Sequence, residues 1–486
     1  MEMLKAYQVA PFEPVSTDYS VSLAGESLHV YPVRFSAMAT NQIFRGKQRG
    51  IDETELASYV HFEGDEAASL TVDVNFDVFC ASVVPASAGV KVLRNGRRLQ
   101  FTLEKCGSYV LEVNGVHKPL HIFFDPPETQ VPDQDDPNVL YYGPGLHNVG
   151  LLRVQSGQTL YLAGGARLMG GVIAEHADGI RIMGRGVIDT SLVPRQSAIN
   201  SILLVDCRDV TVEGVILHDA PCFSLKIGGG GNHRIDGVKV IGQWRYNADG
   251  IDLYNTYDVR ITNCFVRTFD DCIVLKGGHE VGGMKTNNSN VEDILVERCV
   301  LWNDWGRALE IGAETCADEM HRITFRNCDV LHFLFMACDV QACGDALVHD
   351  VLFEDIRVGE PLDPQCEPRL CEIFIRPMCW IKGDKMGRVE GIIFRRIAYT
   401  GRTMVPCRMI GYQADSDIRD VRFEEITVNG EALGTKGHPM CRLIANELVS
   451  GVTVDGVPVS KEELVPESEE ETCNRFLIGN GAFITL

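Results

Sequence analysis

The sequence has no basic start followed by an apolar core; it opens Met1-Glu2-Met3-Leu4-Lys5-Ala6-Tyr7. It does not read as an export signal, so the expectation is a soluble, cytoplasmic protein. No apolar run reaches the ~18 residues that a spanning helix needs. There are 17 cysteines, an odd number, but no Cys-x-x-Cys pair. That disfavours a disulfide framework and a zinc finger, and leaves the thiols as small apolar core residues. Cations are scarce: 45 Lys and Arg against 67 Asp and Glu give a net charge of −22. Such a chain offers no basic patch to nucleic acid or an anionic membrane, and it suits a polyanionic substrate poorly. Helical periodicity is missing too; no stretch keeps it for four turns.

What is present is 45% apolar residues and 47 glycines, the make-up of a folded, turn-rich protein. Residues 1–128 alternate polar and apolar in short runs such as Ser69-Leu70-Thr71-Val72-Asp73-Val74 and Ser108-Tyr109-Val110-Leu111-Glu112-Val113. Turn pairs such as Asn95-Gly96 and Asn114-Gly115 separate them, which predicts a small antiparallel β-sandwich acting as an accessory domain. A linker rich in proline and acid runs from Asp125-Pro126-Pro127-Glu128 to Asp136-Pro137.

Beyond it an apolar triplet of the form Φ-x-Φ recurs: Ile180-Arg181-Ile182, Val210-Thr211-Val212, Val238-Lys239-Val240, Val259-Arg260-Ile261, Ile294-Leu295-Val296, Ile323-Thr324-Phe325 and onward to Val452-Thr453-Val454. One turn-bounded strand set per ~20–30 residues predicts a right-handed parallel β-helix, whose coils bury a shared core. The fold class expected is all-β: a sandwich over 1–128, a catalytic β-helix over 129–465, and a tail or cap over 466–486. Cys264, Cys299 and Cys328 follow equivalent triplets and predict a ladder of buried thiols, with Asn263 and Asn327 laddering at a turn.

Two stretches stand apart, Asn247-Ala248-Asp249-Gly250-Ile251-Asp252-Leu253 and Phe269-Asp270-Asp271-Cys272-Ile273-Val274-Leu275-Lys276. Their apolar residues are in step, Ile251 with Ile273 and Leu253 with Leu275, so Asp249 aligns with Asp271 and Asp270 sits one place before. On successive rungs of a parallel sheet, roughly 5 Å apart, the three carboxyls share one patch. Crowded carboxylates repel, and separating their pKa values into an acid and a base is the commonest use of that repulsion. Calcium binding or turn capping is the plainer alternative.

Asn247-x-Asp249 and Asp270-Asp271-Cys272 resemble the N-x-D and D-D-C motifs of the polygalacturonase-like glycoside hydrolases, a family of right-handed β-helices with inverting chemistry. The sandwich and the Tyr142-Gly143-Pro144-Gly145 and Ala163-Gly164-Gly165-Ala166 stretches also look like the related dextranase-type enzymes. The resemblance implies that Asp270 is the general acid and that Asp249 and Asp271 hold and deprotonate the attacking water, with Asn247 orienting the acid or the substrate. Inversion asks for an acid and a base ~6.5–9.5 Å apart with water between, a separation neighbouring rungs can reach.

The departures carry information. Where the family has G-H-G before an apolar strand, this chain reads Asp304-Trp305-Gly306-Arg307-Ala308-Leu309-Glu310-Ile311-Gly312. No His is present; Arg307 falls in the column of Asp249 and Asp271, and Glu310 in that of Asp252. Arg307 either forks onto hydroxyls and the Asp cluster or makes a structural ion pair with Glu310 or Glu314. The family's R-x-K carboxylate clamp has no match in Met336-Ala337-Cys338-Asp339-Val340-Gln341, so a neutral glycoside is expected, its hydroxyls within reach of Asp339 and Gln341.

Lys276 and His279 are candidate cleft residues, Trp305 a candidate stacking platform, and Arg376 with Lys382 a candidate end of the groove. The expected activity is inverting hydrolysis of O-glycosidic bonds in an oligo- or polysaccharide, with no metal or organic cofactor. The alternatives are another β-helix carbohydrate enzyme (a lyase or a sugar transferase) and a non-catalytic carbohydrate-binding β-helix.

Overall fold

The computed structural model describes residues 4–9, 11, 13–37, 50–195, 197, 199–278, 280–281, 284–378, 381, 385–460 and 464. Candidates His279 and Lys382, and the tail at 466–486, lie outside the described residues. Helical structure within them is confined to short 3₁₀ turns such as Ile51–Glu53, and no helix is long and apolar enough to cross a membrane.

The described residues up to Asp125 form two facing sheets. One joins Lys5–Ala6, Tyr31–Ser36, Thr54–Glu63, Ala81–Val84, Gly107–Val113 and Leu120–Asp125; the other joins Tyr19–Leu23, Glu26–Leu28, Ala68–Val74, Leu93–Asn95 and Arg98–Leu103. Alternating residues such as Val21, Phe62, Val72, Leu99 and Phe124 point between them and make one apolar cluster. The sandwich is not wholly antiparallel, as the hairpin signals imply. Leu120–Asp125 runs parallel to Thr54–Glu63, a pairing across some sixty residues of chain that no local turn signal can announce.

From Val139 onward each coil contributes strands to three faces of a right-handed parallel β-helix. The first face stacks Ile251–Tyr254, Ile273–Gly277, Arg307–Thr315, Met336–Ala342, Arg369–Ile375 and Cys407–Ile410, all parallel. The second stacks Tyr257–Thr262, Val291–Glu297, Glu319–Arg326 and Leu347–Val358; the third stacks Phe265–Thr268, Val300–Asn303 and Asp329–His332. Inward residues of successive coils meet their own kind, as Phe325, Phe353, Phe394 and Phe423 do, stacked with ring centres 4.7, 5.1 and 5.2 Å apart.

Most of the recurring triplets lie on the second face, but Val238-Lys239-Val240 belongs to the third. The second-face strand of that coil carries His233-Arg234-Ile235, in register with Val259-Arg260-Ile261. A buried histidine occupies the apolar place there, and burial pushes its pKa down to about 4, so it packs as a neutral ring. Cys264, Cys299 and Cys328 are buried in the core, and every described cysteine is free. Asn263 and Asn327 both take the left-handed turn conformation, with Arg298 in the same conformation on the coil between them. The asparagines are therefore not adjacent rungs; Arg298 Nε donates to Asn263 Oδ1 at 2.9 Å instead.

The sandwich packs on the third face. Val33, Phe35 and Phe123 of the sandwich form one cluster with Ile216, Ile241, Phe265 and Trp302 of the β-helix. At its centre Arg267, fully buried, lies between the rings of Phe35 and Trp302, 3.8 and 4.0 Å from their centroids. Its guanidinium reaches Asp304 at 3.2 and 3.3 Å. Desolvation makes such a pair costly to build but more costly to break, because one partner is left charged and buried. Arg267→Met is therefore expected to lower stability by about 3–5 kcal/mol in urea unfolding, and pairing it with Asp304→Asn should recover part of that loss.

Candidate active site

The first face presents the acids. On it Ile251, Leu253, Ile273, Leu275, Leu309, Ile311 and Val340 point into the apolar core. Period-2 alternation then turns Asp252, Val274, Glu310, Asp339 and Glu372 to the side of the sheet away from the core, where they form one buried cross-strand column. Asp249 and Asp271 lie two positions ahead of their strands and Arg307 opens its own, the three joined rung to rung: Gly250 N–H donates to the Asp271 carbonyl at 2.8 Å, and Cys272 N–H to that of Arg307 at 2.9 Å. The Asp270 carbonyl accepts from Thr268 Oγ1 at 2.5 Å and Asn303 Nδ2 at 2.7 Å, which fixes the turn that presents its carboxyl. Gly306 makes the next coil fit. A Cβ there would lie 2.5 Å from Asp271 Oδ1 and 2.7 Å from its backbone nitrogen, so only glycine allows that approach.

Electrostatics divide the acids. Lys276 Nζ donates to Asp249 Oδ2 and to Asp252 Oδ1, both at 2.8 Å. Burial pushes Asp249 well above the ordinary carboxyl range; Asp252, Asp270 and Asp271 push the same way, and Lys276 opposes them. Asp270 is raised from 3.8 to about 8, first by burial and then by the charge of Asp271, with Lys276 and Arg307 opposing. Asp271 Oδ1 accepts the Arg307 backbone N–H at 3.0 Å. Glu310 is raised well above its usual range by burial, then by Asp271. Asp339 is raised to about 7 by burial, then by Glu372.

The buried oxygens Asp249 Oδ1, Asp252 Oδ2, both of Glu310 and both of Asp339 have no hydrogen-bond partner among the described residues. Buried polar atoms are nearly always satisfied, so a cluster of bare acceptors on one face marks a place for hydroxyl or water donors. The cations nearby are already committed. Arg307 Nε faces Asp339 Oδ2, the acid one coil on, at 3.4 Å, while Glu310 is the largest of the negative charges acting on its guanidinium; Glu314 is not among its ion-pair partners. Arg376 Nη2 donates to Gln341 Oε1 at 2.5 Å, which ties the candidate end-of-groove residue to the column.

Aromatic walls flank the column. Tyr246, Phe269, Trp305, Leu334 and Phe335 cluster on one side, with Trp305 stacked on Phe269 at 5.3 Å and 5°. Trp305 is buried in that wall, so its packing faces are spent on Phe269 and Phe335 and not held open for a sugar. On the other side Lys226 Nζ sits 4.0 and 4.5 Å from the Phe223 and Tyr254 ring centres. Asn247, in the left-handed conformation, accepts at Oδ1 from Arg195 Nη2 at 2.7 Å, and Arg195 Nε donates to the Tyr246 carbonyl at 2.8 Å. Glu372, Lys226 and Arg195 are site residues that sequence reasoning did not single out. Asp252 was signalled by sharing a column with Glu310; Arg195 arrives from a preceding loop and had no signal.

Residues 187–343 match the model of the family described as Glycosyl hydrolases family 28, and all the acids above but Glu372 fall within that span. In structure the chain is similar to a hyperthermoactive exopolygalacturonase from Thermotoga maritima. The TM-score is 0.50 at 15% identity, over 66% of this chain and 84% of that one. It is also similar to Dex49A from Penicillium minioluteum, with a TM-score of 0.52 at 12% identity over 94% of this chain and 92% of that one. At these identities the likeness carries the fold. No curated protein sequence matches the chain significantly.

Proposed function

We propose, from the premise that this chain is a glycoside hydrolase with a family 28 segment on a parallel β-helix, that it cleaves a neutral oligo- or polysaccharide with inversion. Asp270 is the general acid, and Asp249 and Asp271 hold the attacking water. The observation that carries this reading is the unequal treatment of three neighbouring acids. Burial raises both Asp270 and Asp249, but Asp270, at about 8, keeps its proton at neutral pH, whereas Asp249 is bonded to Lys276, whose charge opposes the rise. A water donating to the bare Asp249 Oδ1 works with Lys276 against the burial that raises this acid, because hydrogen bonds to the charged form lower a carboxyl pKa. Asp270 then gives its proton to the glycosidic oxygen as the water, losing its own to Asp249, attacks the anomeric carbon from the other side.

Neutral sugar is favoured over a uronate by the chemistry of the lining. The unpartnered atoms are mostly acceptors, which suit hydroxyl donors, while Lys276 and Arg307 already face carboxylates. A β-elimination needs a basic side chain free to abstract a proton, and Lys276, bonded to two acids, is poorly placed for that.

The test is a panel of neutral and uronate oligosaccharides, with the anomer of the fresh product read by NMR. A neutral substrate released with inverted configuration is the expected result. Retention would remove the water-holding role from Asp249 and Asp271, and cleavage of uronates alone would overturn the neutral reading.

A further inference from the structure

The second face, around the corner from the acids, carries a different constellation. Glu292, His321, His349 and Glu390 occupy one cross-strand column on four successive coils. The His321 and His349 rings stack with centres 4.9 Å apart and planes 19° apart. Glu319, two residues before His321 and so on the same side of the strand, reaches both. Its Oε2 lies 3.5 Å from His321 Nε2 and 3.7 Å from His349 Nε2. Glu292 Oε2 lies 2.9 Å from His321 Nε2. One donor atom from each of Glu319, His321 and His349 falls within 4.8 Å of the other two. His349 Nε2 is buried and has no hydrogen-bond partner among the described residues.

These separations have a meaning. Ligand atoms at ~2.0–2.1 Å around a tetrahedral zinc ion lie about 3.3 Å from one another, close to the Glu319–His321 and Glu319–His349 separations. Two imidazoles with carboxylates are the donor set of zinc and its neighbours in the first transition row; calcium and magnesium take oxygen only. We propose that His321, His349 and Glu319, with Glu292 as a further carboxylate, form a binding site for one zinc-class divalent cation. The cation clips three successive coils of the second face and stands apart from the hydrolytic chemistry.

One neighbour resists it. Arg322 Nη1 faces His321 Nδ1 at 2.7 Å, and its Nη2 donates to Glu292 Oε2 at 2.8 Å. Ligation through Nε2 leaves the imidazole proton on Nδ1, so the guanidinium must withdraw from it. Asp293, already bonded to Arg322 at 2.6 and 2.8 Å, keeps that charge paired when it does.

The experiment uses the full chain stripped with a chelator, titrated with Zn²⁺ in a calorimeter and with Co²⁺ followed by visible absorption. One ion per chain is expected, with the intense bands of four-coordinate Co²⁺. Binding should be about 100-fold weaker in His349→Ala and in Glu319→Gln, the latter replacing a half-exposed carboxylate at no cost to packing. Arg322→Gln should bind more tightly. Zinc should raise the melting temperature of the wild type and not of His349→Ala, and chelation should leave kcat unchanged. Three results would overturn the site: no stoichiometric binding by the wild type, binding as tight as the wild type's in both ligand variants, or binding lost in Asp249→Asn and kept in His349→Ala. The last would place the cation among the active-site acids instead, and none of the three bears on hydrolysis itself.

Discussion

Asp270→Asn is expected to lower kcat on the natural glycoside by about 10³–10⁴-fold while leaving the circular dichroism spectrum and the unfolding midpoint close to wild type. The amide keeps the size of the side chain and loses the transferable proton. The loss should shrink on a nitrophenyl glycoside, whose leaving group departs without protonation, and that contrast separates an acid from a merely structural aspartate. A near-wild-type rate on the natural substrate would remove Asp270 from the role. The pH dependence follows from the same group. Asp270 must be protonated to act and titrates at about 8, so kcat/KM should fall as pH rises through 8, and the Asn variant should lose that limb. Its contribution to stability has the same sign. A carboxyl raised from 3.8 to about 8 favours the folded state fully below 3.8, and that contribution is lost as pH climbs to about 8.

Lys276→Met is expected to have the next largest effect, on rate and stability together. The ammonium is buried and bonded to Asp249 and Asp252, so its removal leaves two neighbouring buried carboxyls without their bonded counter-charge. Breaking a buried pair in this way costs about 3–5 kcal/mol. Rate should fall by about 100-fold or more, because the charge that opposes the upward shift of Asp249 and favours its carboxylate is gone. Lys276 is the influence that lowers the Asp249 pKa, so the acidic limb of the pH–rate profile should move to higher pH. Adding Asp252→Asn removes one of the stranded charges and should restore part of the stability without restoring the rate. If both recover together, Lys276 serves folding alone. If neither falls in the single variant, the ion triad contributes to neither.

How much of this could be read from the chain depends on how far each signal travels. The register of the acids was legible because Ile251-x-Leu253 and Ile273-x-Leu275 share one period and one core, and a parallel sheet converts that match directly into adjacency. The placement of Arg307 and Glu310 followed by the same counting. What Lys276 does was not legible. Whether a long side chain turns back one rung to two acids or out to solvent depends on local burial and reach, which spacing leaves open. The same holds for Trp305, drawn into the wall by Phe269 and Phe335. The pairing of His321 with His349, 28 residues apart, matches no linear metal motif; it exists only because one coil of this helix has that length. His233 hid a rung by filling an apolar place with a neutral ring.

The seating of the sandwich on the third face reaches further than attachment. Arg267, held between Phe35 and Trp302, is three residues from Asp270, and its partner Asp304 is three residues from Arg307. The turns that carry Asp270 and Arg307 therefore begin at the joint between the sandwich and the β-helix. The amino-terminal sandwich is a buttress behind the hydrolytic wall, and the solenoid on its own would lack the backing that keeps that wall in shape.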